Sequence, residues 1–427
     1  MPQRNLLILL VAIVASYICY VHDDHDPYCR YVASGLSDIR ENALDPPPSR
    51  ALFDSAMDGM IDVLRQRGDP HSQFLSESEA GPLRNEIHQQ FGGIGIRIKF
   101  EGEPPQLVIA GPIAPTTPAG RAKLRPGDRI LKINGEATAG LSRREVLARI
   151  SGEPGTALQL TVRSEHELQP RTVELVRDVI QIDSIAGDRR GPDGEWLFAL
   201  QDDPRIAQVR ILSFGDRTAS EFSALMPRLV EKGVRAVILD LRDNAGGSLS
   251  AAVAVCEALL PAGKMIVETR GRGQVLRQRY ATKSDGKYCE FPLAVIVNQN
   301  SASASEIVAA CLQDQHRAIV AGERSFGKGT VQQLLPIGKS LLKLTWASFW
   351  RPSGANIHHA VGAAADAVWG VSPDAGYERK LSADEYAAYR SFRDQRDENG
   401  EVESAAYVDG PLELAEQYLQ HQLGSNP

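Results

Sequence analysis

Two apolar runs, Val234-Arg-Ala-Val-Ile-Leu-Asp-Leu241 and Leu293-Ala-Val-Ile-Val297, constrain the fold more than any other feature of the chain. Each is too short for a helix and too apolar for a half-exposed strand, so each reads as a strand buried in a sheet. The first leads through Asp243-Asn-Ala-Gly-Gly247 into a helix that Ser248 caps and that runs to Leu260. The second leads through a polar turn into a helix from about residue 303 to about Asp314. Ala318-Ile-Val-Ala321 is a third buried run, and Val331 to Ile337 and Leu341 to Trp350 finish as strands. Such alternation predicts an α/β sheet covered by helices over residues 195 to about 372.

Upstream the pattern changes twice. Residues 27–90 read as helical: Pro46-Pro-Pro48 breaks a first helix, and a second carries Ala51, Phe53, Ala56, Met57, Met60, Ile61 and Leu64 on one stripe. Asp69-Pro-His-Ser72 ends it. Residues 91–178 are β-rich. Gly92-Gly-Ile-Gly-Ile96 opens a strand, Leu107–Ala110 is another, and Leu124 to Gly135 reads as turn, strand and Asn-Gly hairpin turn. Ser142 caps a short helix to Ile150, and Leu158 to Arg163 alternates as a strand. This block resembles a PDZ domain. The resemblance implies that a Gly-rich loop donates backbone N–H groups to a terminal carboxylate while the peptide adds a strand to the sheet edge. Gly93, Ile94, Gly95 and Ile96 form the matching loop.

The N-terminus adds a location. Leu6 to Val21 is nearly all apolar behind Arg4, which reads as a signal sequence or membrane anchor. Tyr17 and Tyr20 near its end suit an interfacial belt and favour an uncleaved anchor. The body is then expected outside the cytoplasm. A net charge of −7 gives no electrostatic reason to expect nucleic acid, and Arg270 to Arg279 reads as a solvated ribbon. The five cysteines are too few for a disulfide scaffold. Cys256 and Cys311 fall in apolar helical patterns as small core residues, while Cys29 and Cys289 are a candidate bridge. No Cys or His spacing argues for a metal, and His22-Asp-Asp-His-Asp26 reads as a polar flank.

Asn298-Gln-Asn-Ser-Ala-Ser-Ala-Ser-Glu306 and Ser325-Phe-Gly-Lys-Gly-Thr-Val-Gln332 carry the chemistry. At a helix start the free N–H groups and the dipole favour developing negative charge. A serine there is either a cap or a nucleophile whose oxyanion the N–H groups hold. Lys328 lies 25 residues after Ser303, between two glycines that let the backbone turn the side chain inward. A desolvated lysine can serve as the base that a serine hydroxyl needs. Positions 328, 330 and 332 share a face if the segment is extended, which offers Gln332 as the orienting third group. Gly246 or Gly247 and the N–H of Ala304 are candidate oxyanion donors. Gly322 to Thr330 imitates a phosphate loop, but Gly329 stands where the hydroxyl is needed and the next residues read as strand, not helix.

These motifs, with Asp69-Pro-His-Ser72, Phe91–Ile96, Leu239–Gly247 and Gly370-Val-Ser-Pro-Asp374, resemble in order the C-terminal processing peptidases, a serine–lysine family that includes tail-specific proteases. The resemblance implies Ser303 as nucleophile, Lys328 as base and Gln332 as its partner. It also implies a crotonase-like catalytic fold, and a PDZ domain that captures substrate C-termini. No cofactor or metal is implied. Ala245 stands where the family usually has proline, and Ile357 to Trp369 is longer and more alanine-rich than usual. The expected layout is an anchor and flank (1–26), a helical region (27–90), a PDZ domain (91–178), a catalytic domain (179–375) and a helical tail (376–427). The expected partners are protein C-termini, a membrane through residues 6–21, and a second copy through the helical region. The alternative is a non-catalytic PDZ scaffold; an acyl-CoA enzyme is suggested by the implied fold alone.

Overall fold

The computed structural model describes residues 26–111, 113–164, 167, 169–191, 194–360, 362, 364, 367–399 and 407–425, with Leu10, Ala12 and Val14 from the apolar leader. The expected anchor at 6–21 otherwise lies outside the described residues. Among the described residues no helix is long and apolar enough to cross a membrane. The chain divides into two compact units, one of residues up to Ser76 with Leu334–Leu344, the other of Glu77–Gln333 with Thr345 onward.

In the first unit Pro27–Asn42 and Ser49–Gln66 are helices. Met57 and Ile61 are buried with Phe74, and Phe53, Leu64, Ile337, Leu342 and Leu344 pack against them. Met60, expected on the same stripe, is instead 54% exposed. At 100° per residue it sits at the stripe's edge, and the strand pair beneath covers only the centre. That pair is Gln73–Leu75, antiparallel to residues 341–343.

In the second unit two sheets matter. The β-rich block is a sheet in the order Arg97–Glu101, Gln106–Ala110, Arg129–Ile133, Ala157–Arg163, Arg171–Val176. Ile98, Ile109, Ile130, Leu158, Leu160 and Val162 fill one face, and Val146 and Ile150 of helix Arg143–Ile150 close it. The helix begins as expected, with a capping box between Ser142 and Glu145. Arg97–Glu101, immediately after the Gly-rich loop, lies at one end of this sheet.

The other sheet runs Ile185–Ala186, Ile206–Ile211, Ala236–Asp240, Leu293–Val297, Ile319–Gly322, the last four parallel. Helices Thr218–Glu231, Leu249–Leu259 and Ala304–Asp314 cover one face. Helix Gly410–Ser425 covers the other, setting Ala415, Leu419 and Leu423 against Ile206, Ala236, Ile238, Ala294 and Ile296. The C-terminal tail is therefore a layer of this α/β core. Its attachment is ionic as well. The buried Arg242 guanidinium donates to Asp240 at 2.7 Å and to Asp409 at 2.7 and 2.9 Å, beneath the Tyr389 ring. Asp188 meets Arg393 and Arg396 of helix Ala383–Asn399.

Arg270 to Arg279 is the hairpin Met265–Arg270 and Leu276–Ala281, its second strand mostly exposed. Cys256 and Cys311 are buried, as their apolar settings imply, whereas Cys29 and Cys289 are both free thiols, so the candidate bridge is absent.

Candidate active site

Parallel strands end together, and here the ends of Ala236–Asp240 and Leu293–Val297 bring two turns side by side. The turns are stitched by side chains. The Ser301 hydroxyl donates to the Leu241 carbonyl at 2.8 Å, and the Ser305 hydroxyl donates to the Asn244 carbonyl at 2.9 Å. The Ala302 N–H donates to Asn244 O at 3.0 Å, and the Asp243 N–H to Asn298 Oδ1 at 3.0 Å. Both outer serines of the Ser-Ala-Ser-Ala-Ser run are thus fully buried ties.

Ser303 stands between them in a different state. Its backbone is at φ 56°, ψ −112°, a strained conformation for a residue with a side chain, at the tip where strand gives way to helix. A serine held on such a turn presents its hydroxyl at the mouth of the sheet. It is 9% exposed, while Ser301 and Ser305 are at zero.

Gly246 faces it. A Cβ there would come within 2.8 Å of Ser303 Cβ and 2.9 Å of the Ala304 nitrogen, so only glycine leaves room beside the hydroxyl. Gly246 is at φ 101° and Gly247 at φ 135°, further requiring glycine at both. The two differ in hydrogen bonding. The Gly246 N–H donates to Asn244 Oδ1 at 2.8 Å, so here it serves the turn, not an incoming oxyanion. The Gly246 carbonyl and the Ser248 N–H pair with Phe214, which turns the Gly247 N–H to the opposite side of the chain.

Glu306 joins the serine turn to the lysine segment. Its fully buried carboxylate accepts from the Ser303 N–H and the Lys328 N–H on one oxygen, both at 2.8 Å. The other oxygen accepts from the Gly327 N–H and the Ser325 hydroxyl, both at 2.6 Å. The backbone nitrogens of Ser303 and Lys328 therefore share one acceptor. Burial pushes the Glu306 carboxyl above its ordinary value; hydrogen bonds from Ser325, Gly327, Ser303 and Lys328 oppose that. The sequence reading gave Glu306 no role, although a glutamate three residues after a serine is the signal of a capping box.

Lys328 is half-buried. Its glycine neighbours are close-packed: a Cβ at Gly327 would meet His359 and Trp369, and one at Gly329 would meet His358. His358, His359 and Trp369 of the segment after Ile357 thus lie on the lysine loop, with the His359 N–H bonded to Gly327 O at 2.8 Å and Trp369 stacked on His359 at 4.1 Å. The Gln332 amide donates to Thr330 Oγ1 at 2.9 Å and Thr345 Oγ1 at 3.4 Å, so 330 and 332 do share a face.

In the PDZ-like block the Ile94 side chain is wholly buried in the core and its carbonyl accepts from the Ala119 N–H at 3.0 Å. Its backbone N–H is the group the loop expectation assigned to a ligand. Gly95, at φ 76°, packs directly on Thr117. Gly93 ends a strand paired with Asp178, and Ile96 is partly buried against the same core.

A buried α/β sheet carrying a serine on a strained turn, with a lysine segment tied to that turn through Glu306, is an arrangement suited to a serine hydrolase. The model for Peptidase family S41 matches residues 205–375, and a PDZ domain model matches 111–164. A carboxy-terminal-processing protease of Bartonella bacilliformis is 33% identical over 356 residues, covering 82% of this chain and 75% of the relative. A carboxyl-terminal-processing protease of Synechocystis sp. is 31% identical over 325 residues, covering 75% and 70%. The solved photosystem II D1 C-terminal processing protease is 29% identical, covering 81% and 86%, with a TM-score of 0.44. The chain belongs to the carboxy-terminal processing proteases of peptidase family S41, serine-type endopeptidases with a PDZ domain.

Proposed function

We propose that this protease is exported and cleaves proteins near their C-termini with Ser303 as nucleophile and Lys328 as general base. The observation that carries the reading is the contrast among three serines: Ser301 and Ser305 spend their hydroxyls on buried carbonyls, whereas Ser303 sits at positive φ beside Gly246. Lys328 takes the hydroxyl proton as oxygen attacks the scissile carbonyl. The tetrahedral oxyanion is held by the N–H groups of Ala304 and Gly247 at the positive end of helix Ala304–Asp314. Collapse expels the leaving amine, which takes the proton back from Lys328, and leaves an acyl-enzyme; water, giving a proton to Lys328, then attacks it, and Ser303 recovers that proton as the acid leaves. Gln332 orients the lysine through the face it shares with Thr330.

The PDZ domain supplies the substrate. The loop Gly93–Ile96 offers backbone N–H groups to a terminal carboxylate, and the strand Arg97–Glu101 at the sheet's end accepts the peptide as an added strand. The leader at 6–21 anchors the protease to the membrane it is exported across. Helix Pro27–Asn42, with no buried residue and with Tyr28, Tyr31 and Val32 exposed, pairs with a second copy.

The test is cleavage of a peptide with an apolar C-terminus by the native chain, Ser303→Ala and Lys328→Ala. Both variants are expected to lose about 10⁴-fold or more in rate. Cleavage surviving in both refutes the mechanism; binding without cleavage by the native chain favours the scaffold.

A further inference from the structure

We propose that Tyr386 and Arg390, on the tail helix Ala383–Asn399 beyond the segment that matches the peptidase family, are positioning residues for catalysis. They lock the turn that carries Gly246 and Gly247 to the turn that leads into Ser303. The inference rests on the assignment of Ser303 above.

The lock is built on Asp243. Its backbone is at φ 59°, so the turn holds a residue in the left-handed region and needs side-chain support. Asp243 Oδ1 accepts from Asn298 Nδ2 at 3.0 Å, Asn300 Nδ2 at 2.8 Å and the Tyr386 hydroxyl at 2.8 Å. Its other oxygen accepts from Arg390 Nη1 at 3.2 Å. The Tyr386 oxygen in turn accepts from Asn300 Nδ2 at 3.0 Å. One phenol therefore touches both turns, three residues upstream of Gly246 and three upstream of Ser303. Burial raises the Asp243 carboxyl, but hydrogen bonds from Asn300, Asn298, Tyr386 and Arg390 outweigh it and hold the group below the ordinary carboxylate value. Burial, with the bond to Asp243, raises the Tyr386 phenol, which keeps it a neutral donor.

The consequence is geometric. Oxyanion donors act only when they lie where negative charge develops, and small misplacements are costly. Gly246 lies so near the serine that an added Cβ would come within 2.8 Å of Ser303 Cβ and 2.9 Å of the Ala304 nitrogen, so drift of the Asp243 turn is felt beside the reacting hydroxyl. Anchoring the tail is not the role of these two side chains. Arg393 and Arg396 on Asp188, Arg210 on Asp397, and Arg242 on Asp409 attach it independently.

The experiment is steady-state cleavage by the full chain, with Tyr386→Phe, Arg390→Ala, Arg390→Lys and the double variant Tyr386→Phe/Arg390→Ala. Tyr386→Phe is expected to lower kcat about tenfold and the double variant about 100-fold, with KM held within about twofold. Arg390→Lys is expected to stay within about threefold, because Arg390 is the half-exposed member. Unchanged kcat in the double variant, a loss confined to KM, or a loss that follows the fraction of folded protein overturns the inference. Ser303→Ala, run alongside, separates the layers. If it is inactive and the double variant is not impaired, only the lock fails; if it cleaves at the native rate, the nucleophile assignment fails first.

Discussion

The serine turn and the lysine loop, the two halves of the proposed reaction, are held in different ways. The serine turn is tied from all sides by buried hydrogen bonds to the neighbouring strand end, through Ser301, Ser305, Asn298 and Asn244. The lysine loop is held by close packing of its glycines on residues 358, 359 and 369, by backbone bonds from Phe326 to Ser301 and from His359 to Gly327, and by one carboxylate that takes two of its N–H groups. That carboxylate, Glu306, belongs to the serine's own helix. The ties of the serine turn are spread over many residues, each contributing one or two bonds. Glu306 concentrates four, and its loss leaves the N–H groups of Ser303, Gly327 and Lys328 without that acceptor in a low-dielectric interior.

The contrast can be broken most directly at Glu306. Glu306→Ala removes four hydrogen bonds at once, and a loss on the order of 3 kcal/mol or more in denaturant stability is expected, with activity falling over about 100-fold. A variant as stable and active as the native chain would show that the two halves are fixed independently. Gly246→Ala asks how tight the serine side is. With φ at 101° and Ser303 Cβ within 2.8 Å of the new methyl, kcat should fall about 100-fold for a stability cost of about 2 kcal/mol. Normal turnover there would mean the two turns can part. Ser305→Ala gives the smallest effect. It strips one buried tie, so unfolding should cost about 1 kcal/mol less while the peptide is still cleaved at a rate within about threefold of native. Inactivity at native stability would transfer the nucleophile role to Ser305.

The pattern of strands and helices around the site was legible because parallel strands buried on both faces leave continuous apolar runs, as at Leu293–Val297. Helix ends were legible where caps are local, as at Ser142 and Ser248. The weight of the tail was not read. Ala415, Leu419 and Leu423 recur every fourth residue, a stripe that announces a buried helix face, yet the surrounding polarity masked it. The Asp243 lock had no signature at all, since Tyr386 lies 143 residues away along the chain.

Sequence by itself determined which groups are on offer: a hydroxyl at a helix start and an amine between glycines, on elements that local periodicity could place. Tertiary structure decided which of three serines stands apart and what holds it against the lysine segment. The reason is physical: identity and local conformation are properties of nearby residues, whereas burial, shared acceptors and steric clearance exist only once distant segments have packed.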